Sequence, residues 1–217
     1  MFKACIFDLD GTLANTLESI AYFGNTALGT VGLAPIEVEN YRIFVGNGRD
    51  KLIHRMLAYY DADTQENFDA VGKYYDDLYE KDPAYLVTYY DGTKELLSEL
   101  KALGLKLAIL SNKPDDMTKA VAKALYGDVF EIVQGQLADV PKKPNPTAVF
   151  DIMAKMGVSK EETLYIGDSG VDMETGSNAS LVTAGVTWGF RGEDELTECG
   201  AVHIAHDASQ LRDIILN

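Results

Sequence analysis

Two acids stand two residues apart in Phe7-Asp8-Leu9-Asp10-Gly11-Thr12, directly after the apolar run Ala4-Cys5-Ile6-Phe7. An apolar run bounded by a turn reads as a buried parallel strand, so the first strand ends on a carboxylate. In open α/β sheets ligands bind just outside the carboxyl ends of the strands. A pair of carboxylates there suits a metal, a proton transfer or a nucleophile. Three further strand ends offer partners: Ser111-Asn112, Lys143 ahead of Pro144-Asn145-Pro146, and Gly167-Asp168-Ser169 with Asp172. Phosphoryl transfer from a monoester calls for this set. A carboxylate can attack phosphorus. A second acid can protonate the leaving oxygen and later deprotonate water. Mg²⁺ takes hard oxygen ligands. A hydroxyl, backbone amides and a lysine can hold the phosphoryl oxygens. Lys143 is preferred to Lys142 because it directly precedes Pro-x-Pro.

The elements that must position these groups follow from periodicity. Strands are predicted over 105–110, 131–134, 163–166 and 182–187. Helices alternate with them over 92–103, 115–125, 147–156, just after Asp168, and over 209–216. Such alternation means an α/β fold with a doubly wound parallel sheet. The stretch 13–89 is nearly all helical, with helices over 13–30, 36–41, after the glycine-bearing turn at 45–49, and over 65–81. A parallel crossover needs only one helix, and 92–103 supplies it. Residues 15–88 are therefore expected to be an inserted α-helical cap domain, with 1–14 and 89–217 forming the core. An insertion at that point lies over Asp8 and Asp10 and is a candidate lid.

The formal charge of the 217 residues is −15. Nucleic acid as a partner is thereby disfavoured, because phosphate neutralisation needs clusters of Lys and Arg. The same field repels an anionic substrate at long range, so a local positive site has to overcome it. No apolar run is long enough to span a membrane. Met1-Phe2-Lys3 leads straight into the first strand without a signal peptide. Cys5 and Cys199 are few and far apart and read as reduced thiols. A cytoplasmic protein, monomer or homodimer, is the expectation.

Taken as a set, Asp8-Leu9-Asp10-Gly11-Thr12, Ser111, Lys143 and Gly167-Asp168-x-x-x-Asp172 resemble the four motifs of the haloacid dehalogenase superfamily, in order and across the whole core. The resemblance implies a nucleophile at Asp8 and a general acid/base at Asp10, whose backbone carbonyl would also bind Mg²⁺. It implies loop support and phosphate contact at Thr12, and phosphate binding at Ser111 and Asn112. Lys143 would steady Asp8 and the phosphoryl group. Asp168 would complete the Mg²⁺ site, with Asp172 beside it as a ligand or through water. The helical insertion, Phe44-Val45-Gly46-Asn47-Gly48-Arg49 and Val186-Thr187-Trp188-Gly189-Phe190 are similar to the phosphoglycolate phosphatase-like subfamily. Arg49 follows two glycines at a helix start and could take a substrate carboxylate bidentately. The chain departs from the pattern at Asp91, where relatives often carry Pro, and at Asn15, where they often carry an acid. Neither position is a reacting group.

Each feature has a plainer reading. A lone D-x-D-G is a pair of loop acids, Ser111-Asn112 is a helix cap before Pro114, and Asp172 is a first-turn acid favoured by the helix dipole. Arg49 is a surface ion pair in its plainer reading. His54, His203 and His206 lack metal spacing, and the tyrosines from Tyr74 to Tyr90 pack cap and hinge. The function expected is Mg²⁺-dependent hydrolysis of a small phosphorylated metabolite through an aspartyl-phosphate. Rivals on the same core are a β-phosphoglucomutase-like phosphotransferase and a pyrophosphatase or nucleotidase. A dehalogenase needs neither Asp10 nor Mg²⁺. A phospho-receiver module, the rival from another class, has no helical insertion and about half this length.

Overall fold

The computed structural model describes residues 2–217. In chain order the elements begin with β1 (Ala4–Phe7), β2 (Ala14–Asn15), α1 (Leu17–Leu28), α2 (Tyr41–Phe44), α3 (Arg49–Ala58), α4 (Gln65–Tyr79) and β3 (Thr88–Tyr89). They continue with α5 (Thr93–Ala102), β4 (Lys106–Pro114), α6 (Asp115–Tyr126), β5 (Ile132–Gln136), α7 (Thr147–Met156) and β6 (Thr163–Gly167). The chain closes with α8 (Gly170–Asn178), β7 (Val182–Val186), α9 (Glu193–Glu198), β8 (His203–Ala205) and α10 (Ala208–Leu216).

Six strands form one sheet in the order β5-β4-β1-β6-β7-β8, and every pairing in it is parallel. Side chains alternate across a strand, and the two sheet faces show it. Cys5, Phe7, Leu107, Ile109, Leu164 and Ile166 join α5, α6 and α10 in one apolar cluster. Ala4, Ile6, Ala108, Leu110 and Tyr165 join α7 on the opposite face. Both faces are covered, so the central strands read as unbroken apolar runs, as parallel strands must. The strand order reverses beside β1, between β4 and β6, where a doubly wound sheet opens its crevice.

A third cluster gathers α1, α2, α3 and α4 around Phe23, Tyr41, Ile53, Met56, Val71 and Tyr79. Two core residues, Met117 and Phe190, also belong to it. The helix expected over 36–41 is instead a 3₁₀ turn over Val38–Asn40 followed by the single-turn α2, a consequence of packing Tyr41 and Phe44 inward from so short a segment. The predicted helix over 13–30 starts only at Leu17, because Ala14–Asn15 pairs antiparallel with Thr88–Tyr89. Four elements escaped sequence reading: β2, β3, β8 and α9. The two-residue ribbon has no periodicity to detect. The edge strand β8 buries Ala205 alone, and α9 is acidic with Leu196 as its single buried residue. Among the described residues no helix is long and apolar enough to cross a membrane.

Candidate active site

Four strand ends converge at the crevice. β1 delivers Asp8, whose backbone N–H donates to Ile166 O at 2.8 Å. Gly11 takes φ +88° immediately after Asp10, a left-handed geometry that a side chain disfavours. Space forbids one as well: a Cβ on Gly11 would lie 2.2 Å from Asp168 Oδ2. β6 delivers Asp168, and α8 begins just beyond it. Asp172, in the first turn of α8, reaches back to Ser169, accepting from its N–H at 3.2 Å and its hydroxyl at 2.6 Å. A first-turn acid pairing with the residue before the helix is the capping-box arrangement.

Lys143 ties this group together. Its Nζ donates to Asp172 Oδ1 at 2.7 Å and forms an ion pair with Asp8 Oδ1 at 2.8 Å. Asn112 anchors the Lys143 backbone, accepting from its N–H at 2.9 Å and donating to its carbonyl at 3.3 Å. The same Asn112 amide donates to Gly46 O on the helical insertion at 3.1 Å. The Asn112 side chain is thus occupied by backbone rather than turned toward a phosphate. Ser111 is buried in the chamber wall, its Oγ accepting from Lys113 N–H at 3.3 Å.

Asp8, Asp168 and Asp172 bring one carboxylate oxygen each within 4.8 Å of one another. Burial pushes the Asp8 carboxyl up to about 7, with Asp172's charge acting the same way and Lys143's opposing it. Asp168 is raised well above the carboxylate range by burial and then by Asp172 and Asp8. Burial alone would lower Lys143, but Asp172 and Asp8 hold it firmly protonated. With one ammonium among three crowded carboxyl groups, full ionisation of the trio calls for a further cation. Asp8 Oδ1 accepts no hydrogen bond of good geometry from a described residue. A hard divalent cation with oxygen ligands fits this donor set.

Thr12 stands apart from its expected phosphate contact. Its hydroxyl is buried and donates to Asp168 Oδ1 at 3.1 Å, so its visible task is to orient that acid. Phe190 N–H donates to the other oxygen, Asp168 Oδ2, at 2.7 Å. Asp10 does not join the carboxylate trio; its side chain faces Lys113, whose Nζ lies 3.1 and 3.2 Å from the two Asp10 oxygens. Lys113 is a chamber residue that sequence reading missed. Its ammonium is buried, sits 4.7 Å from the Tyr79 ring centroid, and lines the chamber with Asp8, Asp10 and Ser111. Side chains two apart on a strand share a face, so the choice of Ser111 already carried the signal for Lys113.

Arg49 also lines the chamber, from α3. Its guanidinium is held by Asp76 on α4, Nε to Oδ1 at 3.0 Å and Nη2 to Oδ2 at 2.7 Å, and by Asp50 at 3.0 Å. Gly72, one turn before Asp76, makes room for it, since a Cβ there would stand 2.3 Å from Nη2. Beneath the insertion the chamber holds about 50 Å³, more than the roughly 10–15 Å³ that one water requires.

The sequence profile of the haloacid dehalogenase-like hydrolases matches residues 5–186. A phosphoglycolate phosphatase of Vibrio parahaemolyticus is 31% identical over 218 residues, spanning 98% of this chain and 96% of its own. One from Rhodobacter capsulatus is 36% identical over 196 residues, spanning 88% and 87%. A crystal structure from Lactobacillus delbrueckii subsp. bulgaricus, provisionally assigned the same activity, superposes with a TM-score of 0.95 at 28% identity, over 100% of this chain and 99% of the other. The profile runs from β1 to the end of β7 and so takes in all four strand ends that meet at the crevice. With the parallel sheet and the site built at its switch point, this places the chain in the haloacid dehalogenase-like hydrolase family.

Proposed function

We propose that the chain is a Mg²⁺-dependent phosphatase of the phosphoglycolate phosphatase type. It hydrolyses a small phosphomonoester whose leaving group carries a further negative charge. The observation that carries the reading is the arrangement of Asp8 against Lys143, with Asp10 held separately by Lys113 in the same chamber. One carboxylate is set among charges, and the other is tethered two residues away with a single cation. The activity of the curated relatives supports the substrate class.

In this reading Asp8 attacks phosphorus, forming an aspartyl-phosphate as the ester P–O bond breaks. Asp10, which must carry a proton in the substrate complex, gives it to the departing oxygen, then takes one from the water that attacks phosphorus and frees Asp8. Lys143 keeps Asp8 oriented and offsets charge on the phosphoryl oxygens, and Ser111 offers its hydroxyl to them. Asp8, Asp168 and Asp172 would hold Mg²⁺, with the Asp10 carbonyl completing the set. The ion, when bound, neutralises charge developing on the transferred group. Residues 15–88 act as the cap that excludes bulk water from the chamber, and Arg49 presents a cation to the leaving group.

The test is phosphate release by purified protein with Mg²⁺ across phosphoglycolate, β-glucose 1-phosphate, pyrophosphate, nucleotides and p-nitrophenyl phosphate, each repeated with EDTA. The expected result is a kcat/KM for phosphoglycolate well above the others and abolished by EDTA. Equal rates on every ester would remove the substrate assignment, and release from none would overturn hydrolysis itself.

A further inference from the structure

The cations of the reaction chamber each have a carboxylate partner: Lys113 pairs with Asp10, Lys143 with Asp8 and Asp172, and Arg49 with Asp76. A different set lines a neighbouring cleft of about 490 Å³ between α3 and the core segment at Lys143. Lys51 and Arg55 lie four residues apart on α3 and so share a face. Both line the cleft. Lys142 does not line the cleft but reaches its rim from the core side: its Nζ lies 3.2 Å from where a Cβ on Gly48 would stand, one residue from Asn47 in the cleft wall.

Among the described residues Lys51, Arg55 and Lys142 form no ion pair. Arg55 donates only to neutral acceptors, Phe44 O and Asn47 Oδ1, each at 2.8 Å. The one acid of the cleft, Asp63, is engaged by His54 Nδ1 at 2.8 and 3.1 Å. Other lysines of the chain also lack a carboxylate partner; what sets these three cations apart is that they gather at one cleft in a chain of charge −15. They sit beside the reaction chamber, because Lys143 lines both this cleft and that chamber.

We infer that the cleft is an anion-binding vestibule in which Lys51, Arg55 and Lys142 capture the charged group of a small phosphate ester before it enters the chamber. The ligand class rests on the phosphatase reading; the cation cluster does not. Local positive potential at a cleft concentrates anionic ligands and raises association rates by about 10- to 10³-fold, against a molecule that otherwise repels them.

The test is a ¹H–¹⁵N NMR titration of the full chain with inorganic phosphate as the probe. Amides of Asn47, Lys51 and Arg55 should shift along a saturable curve of their own, separate from those of Asp10 and Ser111. The K51A/K142A double variant should lose the first set and keep the second. In steady state it should lower kcat/KM for phosphoglycolate about tenfold, through KM and not kcat, and flatten the dependence on NaCl. K123A/K155A, which removes the same charge from exposed helix positions, should do neither. Cleft amides that stay still, or that shift equally in K51A/K142A, overturn the inference. Silence at Asp10 and Ser111 with no phosphate release from any ester defeats the phosphatase reading instead, while the cleft amides still decide the vestibule.

Discussion

Lys113 and Asp10 form a buried ion pair, the ammonium nearly equidistant from both carboxylate oxygens at 3.1 and 3.2 Å. Asp10 therefore has a fixed orientation without belonging to the Asp8, Asp168 and Asp172 group. Lys113 is a positioning residue: K113M should lower kcat about 10²-fold, the low end of what a well-placed acid/base contributes. KM should change little, and K113R should recover part of the loss. A KM increase with unchanged kcat would show instead that Lys113 binds substrate.

Arg49 is seated by Gly72 and Asp76. R49A should raise KM for phosphoglycolate about tenfold or more, the range of a lost charge-assisted hydrogen bond, and leave p-nitrophenyl phosphate untouched. G72A keeps the charge but places a methyl 2.3 Å from Nη2, so it should move the same KM in the same direction. Parallel kinetics on the two esters checks both variants. Equal losses on both would remove Arg49 from leaving-group recognition.

Gly189 approaches Asp168 closely, and a Cβ there would lie 2.3 Å from the Asp168 Cβ and 2.4 Å from Gly11 O. G189A should displace Asp168 and raise the Mg²⁺ concentration for half-maximal activity at least tenfold. The cost in stability should be about 1–3 kcal/mol, as for overpacking in a filled interior. Activity against Mg²⁺ concentration, with urea unfolding beside it, separates the two effects.

Cys5 is buried in β1 and burial raises its thiol far above the free value, whereas Cys199 is partly exposed and raised less. The native protein should be alkylated by iodoacetamide at Cys199 alone, with Cys5 reacting only on unfolding. A raised folded-state pKa means the Cys5 contribution to stability is intact below the unfolded thiol's value of about 8.5 and declines as pH rises beyond it. C5A should weaken that alkaline decline. Mass spectrometry of alkylated peptides and unfolding from pH 7 to 10 read the two outcomes.

What the sequence made legible follows from where burial is continuous. β1, β4 and β6 sit in mid-sheet and are apolar on both faces, so Ala4–Phe7, Leu107–Leu110 and Leu164–Ile166 could be recognised as runs. The acids after β1 and β6 and Ser111 in β4 followed directly. β8 lies at an edge with His203 exposed and offers no such run. The family resemblance implies phosphate contacts at Thr12 and Asn112; in the structure the Thr12 hydroxyl donates to Asp168 and the Asn112 amide to backbone carbonyls. Contacts of that kind join residues 31, 66 or 156 positions apart, and no local pattern encodes them.

The two chain crossings at the base of the helical insertion are hydrogen-bonded to each other, Ala14 opposite Tyr89 and Asn15 opposite Thr88. Tyr126 fixes the start of this ribbon to the core by donating to Leu13 O at 2.7 Å. Two separate tethers would let the insertion twist and slide independently about each. Zipped side by side, they behave as a single leaf spring, stiff in shear and soft in one bending direction. The ribbon resists twist and slip of the insertion against the core and so holds Gly46 in register with Asn112, whose amide donates to it at 3.1 Å.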